Sequence, residues 1–183
     1  MNPITYEIDW QKEIGKINDH RDANAFKLLF HHFYTDLLSF STAISNHQEA
    51  SEDIIAELML KIWQQPEKLL GVKNLKTYLF ISTRNLTLNY LEKNKVRDNY
   101  ILSNPEITQQ DYNPEDQLVS KEIIQKINQA IEQLPPKTKM AFTLVKDNDC
   151  SYAEAADIME ISIKTVDRHL QIALAKIRDF LNR

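Results

Sequence analysis

The sequence predicts an all-α protein of two small helical domains, and three observations carry that expectation. Only two glycines, Gly15 and Gly71, occur in 183 residues, far below the share of about 7% usual in globular proteins. Apolar residues recur every three or four positions along most of the chain, the period of an amphipathic helix. One acidic, proline-bearing stretch interrupts that pattern and divides the chain into residues 1–97, 98–117 and 118–183. A hydrophobic fraction of 43% belongs to a folded chain, and domains of this size have modest cores.

The elements follow in order. Asp22 is placed to cap a helix whose apolar positions are Phe26, Leu29, Phe30, Phe33, Leu37 and Leu38. A second helix is expected from about Glu49 to Gln65, where Pro66 stops it. It buries Ile55, Leu58, Met59 and Ile62 and turns Asp53, Glu57 and Lys61 outward. Gly71 marks a loop, and a third helix runs from about Leu75 to Lys93 with Tyr78, Leu79, Leu86 and Leu91 on its apolar side. Residues 98–117 carry five acids, no Lys or Arg, and Pro105 and Pro114, the composition of an acidic flexible linker. Helix resumes near Leu118 and ends at Leu134. Pro135 and Pro136 open the next helix, as proline can in a first turn.

The stretch SYAEAADIMEISIKTVDRHL, residues 151–170, reads as two short helices around a tight turn. Ser151 and Glu154 have the spacing of a capping box, and Ala155, Ala156 and Met159 give the first helix a face for close packing. Ile161 is expected to plug the turn, with Glu160 where such turns often carry glycine. A left-handed conformation there costs a non-glycine residue about 1 kcal/mol. Ser162 caps the second helix. Its apolar stripe is Ile163, Val166, Leu170, Ala173, Leu174 and Ile177, and Lys164, Asp167, Arg168 and Gln171 align on the other side. A DNA-reading helix needs this division, but a packed helical hairpin with a polar outer face has it too.

The net charge of −4 argues against a DNA binder only if charge is spread evenly, and it is not. Between Lys68 and Arg97 the net charge is +6, and between Asp36 and Glu67 it is −5. An acidic average therefore does not exclude nucleic acid.

With these pieces in place, a resemblance emerges. Leu134 to Leu181, with its LPPK opening, SYxE start, IS turn, KTV and ALxKIR ending, resembles region 4 of the extracytoplasmic-function (ECF) subgroup of bacterial sigma factors. Asp22 to Arg97 is similar to region 2 of that family, through DANAFKLLFHHFY, SEDIIAELMLKIW and KTYLFISTRNLTLNYLEKNK. The resemblance implies a three- to four-helix region 2 bundle in residues 1–97 and a region 4 helix-turn-helix in residues 118–183. It also implies partners: core RNA polymerase, −35 and −10 promoter DNA, and a cognate anti-sigma factor. Carried over by position, Asp53, Glu57 and Lys61 would face the clamp helices of the polymerase largest subunit. Lys73, Asn74, Lys76, Tyr78, Arg84, Asn85 and Asn89 would take the unwound −10 strand, its bases read by amides and its phosphates held by cations. Lys164, Thr165, Asp167, Arg168 and Gln171 would meet the −35 major groove. Four positions depart from the family pattern: Ala56 stands where glutamine is usual, Asn89 and Glu92 replace an acid and a base, and Glu160 replaces the turn glycine.

Other classes find less support. A stand-alone helix-turn-helix regulator would need a sensor or receiver domain, which residues 22–97 do not resemble. A sigma mimic that binds only an anti-sigma factor has no need of the basic third helix. An enzyme lacks a recognisable nucleophile and base, and His20, His31, His32, His47 and His169 form no spaced metal motif. No cofactor is expected. Cys150 is the lone cysteine, and no apolar run is long enough to span a bilayer. The N-terminus lacks a signal-peptide core, so the expected location is the cytoplasm.

Overall fold

A computed structural model describes residues 8–98 and 118–182. The chain divides into two compact units, the first built on residues up to Thr87 and the second on most of those beyond it. Among the described residues every regular element is helical, as the glycine shortage predicts.

The first unit contains α1 (Trp10–His20), α2 (Ala23–Ser45), α3 (Gln48–Gln64), a 3₁₀ turn at Pro66–Leu69, and α4 (Leu75–Asp98) as far as Thr87. Helix α1 was not anticipated from the sequence. Asp9 caps it through the Lys12 N–H, and it buries only Ile14 and Ile17. Asp22 caps α2 as expected, accepting from the N–H groups of Asn24 and Ala25. Those two bonds, Ala25's first, hold the Asp22 carboxyl below its ordinary pKa. The His47 ring Nδ1 caps α3 by accepting from Ala50 N–H. Arg21 and Asn46 end α1 and α2 in the left-handed conformation, the usual C-terminal solution.

The core of this unit is fully buried Leu29, Leu37 and Phe40 from α2, Ile55 from α3, Leu69, and Leu79 and Phe80 from α4. The Phe40 and Phe80 rings pack at a centroid distance of 5.1 Å. Beside them Ser41 and Thr87 share a buried hydroxyl hydrogen bond of 2.9 Å, and Thr87 donates to the Thr83 carbonyl. Helix α1 also fixes the approach to α4. Gln11 Nε2 donates to the Val72 carbonyl at 2.8 Å, and the Arg21 guanidinium donates to the Trp63 carbonyl at the end of α3. Gly71, at φ 76°, makes the left-handed turn between them.

The second unit contains α5 (Leu118–Glu132), α6 (Pro136–Phe142), a π turn at Thr143–Asp147, α7 (Tyr152–Met159) as far as Ala156, and α8 (Ile163–Leu181). Helices α5 and α6 both pack on α8. Pro136 occupies the first turn of α6, where its missing N–H costs nothing. The Lys139 side chain is 6% exposed, and its ammonium is held 2.7 Å from Glu132 Oε2 at the end of α5. Cys150 is buried and donates its backbone N–H to Leu144.

Two sequence expectations need correcting. Ile163 and Leu174, placed on the apolar stripe of α8, are 54% and 52% exposed. The buried seam is narrower: Val166, Leu170 and Ala173 fill it, because α5 and α6 together cover only part of the helix circumference. Ile161 is half-buried rather than a full plug. The expected linker, residues 98–117, lies outside the described residues except for Asp98.

Candidate nucleic-acid interface

Helix α8 owes its start to Ser162, whose Oγ accepts from Thr165 N–H at 3.1 Å and pairs with Thr165 Oγ1 at 2.7 Å. Helix α7 begins with the capping box read from the sequence. Glu154 N–H donates to Ser151 Oγ at 3.2 Å, and Ser151 N–H donates to Glu154 Oε2 at 2.9 Å. The turn between the helices closes when Ile161 N–H reaches the Ala156 carbonyl at 3.1 Å, the long bond of a Schellman motif. Glu160 takes the left-handed position at φ 56°, which fits the sequence expectation for a glycine site.

The buried seam of α8 leaves Lys164, Arg168 and Gln171 exposed, with Thr165 and Asp167 partly so. Gln171 Nε2 donates to Asp167 Oδ2 at 2.8 Å. That bond lines up an amide carbonyl and a carboxylate one turn apart, beside two cations. Such a surface can hydrogen-bond base edges and hold phosphates. Sequence reading missed one relationship here. His169 Nδ1 lies 3.1 Å from Thr138 Oγ1 at the start of α6. Partial burial first, then Lys137 and Arg168, lower the His169 pKa from its ordinary 6.5.

In the first unit, Asp53, Glu57 and Lys61 are all exposed on α3. Glu57 and Lys61 form an i,i+4 ion pair with both side chains more than half exposed, worth about 0.3–0.5 kcal/mol. Ala56 and Leu60 are exposed on the same helix, Leu60 at 55%.

The seven residues expected at the −10 strand separate into roles. Asn74 caps α4, its Oδ1 accepting from Thr77 N–H at 3.0 Å. Lys73, Asn85 and Asn89 are exposed, and Lys76, Tyr78 and Arg84 are partly exposed. Between α3 and α4 lies an open cleft of about 310 Å³. Tyr78 and Asn85 line it together with Lys61, Lys68, Gln65 and Ser82 over an apolar floor. Of these, Lys68, Gln65 and Ser82 were not singled out from sequence. Lys68 belongs to the basic segment, but nothing local marks the other two. Lys73 and Asn89 do not line the cleft.

Comparison with known proteins bears on this arrangement directly. Residues 29–97 match the family description Sigma-70 region 2, and residues 124–177 match Sigma-70, region 4. The chain belongs to the sigma-70 family of RNA polymerase sigma factors. It is an ECF-type member, and a sigma factor serves core RNA polymerase at promoter DNA. One relative, the ECF RNA polymerase sigma factor RpoE of Cereibacter sphaeroides, is 21% identical over the whole of both chains. Among solved structures, RpoE of Bartonella quintana, in complex with the anti-sigma factor NepR, superposes with a TM-score of 0.65. That match has 22% identity and covers 86% of this chain and 96% of that one. CnrH, solved with the cytosolic domain of CnrY, gives a TM-score of 0.65 at 14% identity, covering 94% and 96%.

Sigma factors as a family are non-catalytic regulators. No described helix is long and apolar enough to cross a membrane. Among the described residues, no cluster of three or more His, Cys, Asp or Glu could hold a metal ion.

Proposed function

We propose that residues 1–97 bind core polymerase and melt the −10 element, that residues 98–117 tether the domains, and that residues 118–183 read the −35 element. On α3, Asp53, Glu57 and Lys61 meet the clamp helices of the largest polymerase subunit. Their exposure and the ion pair within the set support an electrostatic docking face. Around α4, Tyr78 and Asn85 take a base splayed from the stack, and Lys73, Lys76, Arg84 and Asn89 track the strand. Asn74 joins them, and its oxygen also holds the start of α4. On α8, Lys164, Thr165, Asp167, Arg168 and Gln171 enter the major groove.

The observation that carries this reading is the division of α8. Val166, Leu170 and Ala173 are buried at 0–2% while Lys164, Arg168 and Gln171 stand exposed across the helix. The similar solved structures add an expectation of a partner. Because one similar structure was solved with the anti-sigma factor NepR bound, we assign this chain a cognate anti-sigma factor as well. The chain acts as a non-catalytic subunit in the cytoplasm, where promoters and polymerase are found.

Gel shifts with and without core polymerase test the assignment. The protein alone should bind promoter duplex poorly, and the reconstituted holoenzyme should bind tightly and protect both elements. Tight, specific binding by the isolated chain would instead indicate a stand-alone regulator.

A further inference from the structure

Lys137 belongs to none of the surfaces described so far, yet the chain brings it to the reading helix. Pro135 and Pro136 fix the backbone at the start of α6, and Lys137 follows them, exposed. Its neighbour Thr138 is 2% exposed, and the Thr138 hydroxyl meets the His169 ring at 3.1 Å. Arg168 is the residue next to His169. One hydrogen bond thus holds two exposed cations on either side of a fixed contact between α6 and α8.

The surroundings are short of counter-charge. Neither α6 nor α8 has an acid in its first turn. Asp167 on α8 is engaged by Gln171, and Glu132 on α5 is held by Lys139. The charges acting on His169 are Lys137 from α6 and Arg168 from its own helix, and they disfavour its protonation. Asp167 keeps its charge beside Arg168, but Lys137 and Arg168 both act on the ring with the same sign, and a phosphate settling there relieves that repulsion. A backbone phosphate suits the place better than a base edge, because a lysine ammonium is a point charge without directional readout.

We propose that Lys137 and His169 form a seat for one backbone phosphate of duplex DNA, alongside the bases that Arg168 reads. The inference rests on the reading of α8 given above. Thr138 engages Nδ1, and the ring becomes a cation when both its nitrogens carry protons. A phosphate nearby favours the charged ring, so DNA binding at this seat takes up a proton on His169. Thr138 acts as a positioning residue that fixes the ring.

The test uses holoenzyme assembled from the full chain and purified core polymerase, bound to a promoter fragment selected by run-off transcription. Affinity is measured against salt and pH, with the −35 bases intact or substituted. Lys137→Ala should weaken binding by the same factor on both fragments and lower the slope of log affinity against log salt by about 1. Lys137→Arg should restore both. Wild-type affinity should fall as pH rises from about 6 to about 8, and His169→Gln should flatten that dependence. An unchanged salt slope in Lys137→Ala, a loss confined to the intact −35 fragment, or an unaltered pH profile in His169→Gln would overturn the seat. If the wild-type holoenzyme ignores the −35 substitution, the reading of α8 fails with it. If wild type responds and Lys137→Ala matches it at every salt, only the seat fails.

Discussion

Arg168 is the residue on which promoter choice is expected to turn, because it is exposed on the face of α8 opposite the Val166–Leu170–Ala173 seam. Arg168→Ala should cost about 1–3 kcal/mol of −35 discrimination. Reconstituted transcription on promoters differing only at −35 checks this, and unchanged preference would remove Arg168 from the reading edge. Glu57 makes a parallel case on α3. Its partner Lys61 lies one turn away, so Glu57→Arg replaces an ion pair with two like charges and reverses the docking face. Core binding in a pull-down or by anisotropy should fall on the order of tenfold or more. His169 gives a pH expectation for the free protein. Its pKa is lowered on folding, so the unfolded chain takes a proton at higher pH than the native one. The stability it contributes is whole above its ordinary value of 6.5 and diminishes as pH falls below that. Denaturant melts of wild type and His169→Gln should therefore draw together on acidification.

At the scale of elements, some signals are local and others are not. The capping box of α7, the Ser162 cap of α8, the Asp22 cap of α2 and the proline start of α6 were all readable, since each is made within four residues. Helix α1 was not. It buries only Ile14 and Ile17, carries Gly15, and gains its stability from packing on α2 and the Pro66–Leu69 turn. Ile17→Ala should accordingly cost about 2–5 kcal/mol, measured by chemical denaturation. A change under 1 kcal/mol would mean that α1 is dispensable to the first unit. Ser162→Ala should cost about 1 kcal/mol by removing the cap of α8. The width of the α8 stripe was over-read for a related reason. Periodicity shows which side of a helix is apolar, but only the packing of α5 and α6 decides that Ile163 and Leu174 stay exposed.

Across the whole chain, the fold class followed from the glycine shortage and the helical period, and charge segregation kept an acidic total from excluding nucleic acid. The candidate site was legible where exposure follows from helix geometry, as for Lys164, Arg168, Gln171, Asp53, Glu57 and Lys61. It was not legible where distant segments meet. The cleft joins Lys61 and Gln65 of the α3 end to Ser82 and Asn85 of α4, and the Thr138–His169 contact spans 31 positions. No local pattern encodes such pairings. Asn74 was expected at the −10 strand from its exposed amide, and the structure adds that its oxygen caps α4.

Run-off transcription with purified core polymerase on genomic fragments bears most directly on the central claim that two helical domains act together as a promoter-recognition subunit. The account predicts transcripts that depend on this protein, start downstream of shared −35 and −10 elements, and disappear when either element is substituted. Core polymerase giving the same transcripts with and without the protein would contradict it.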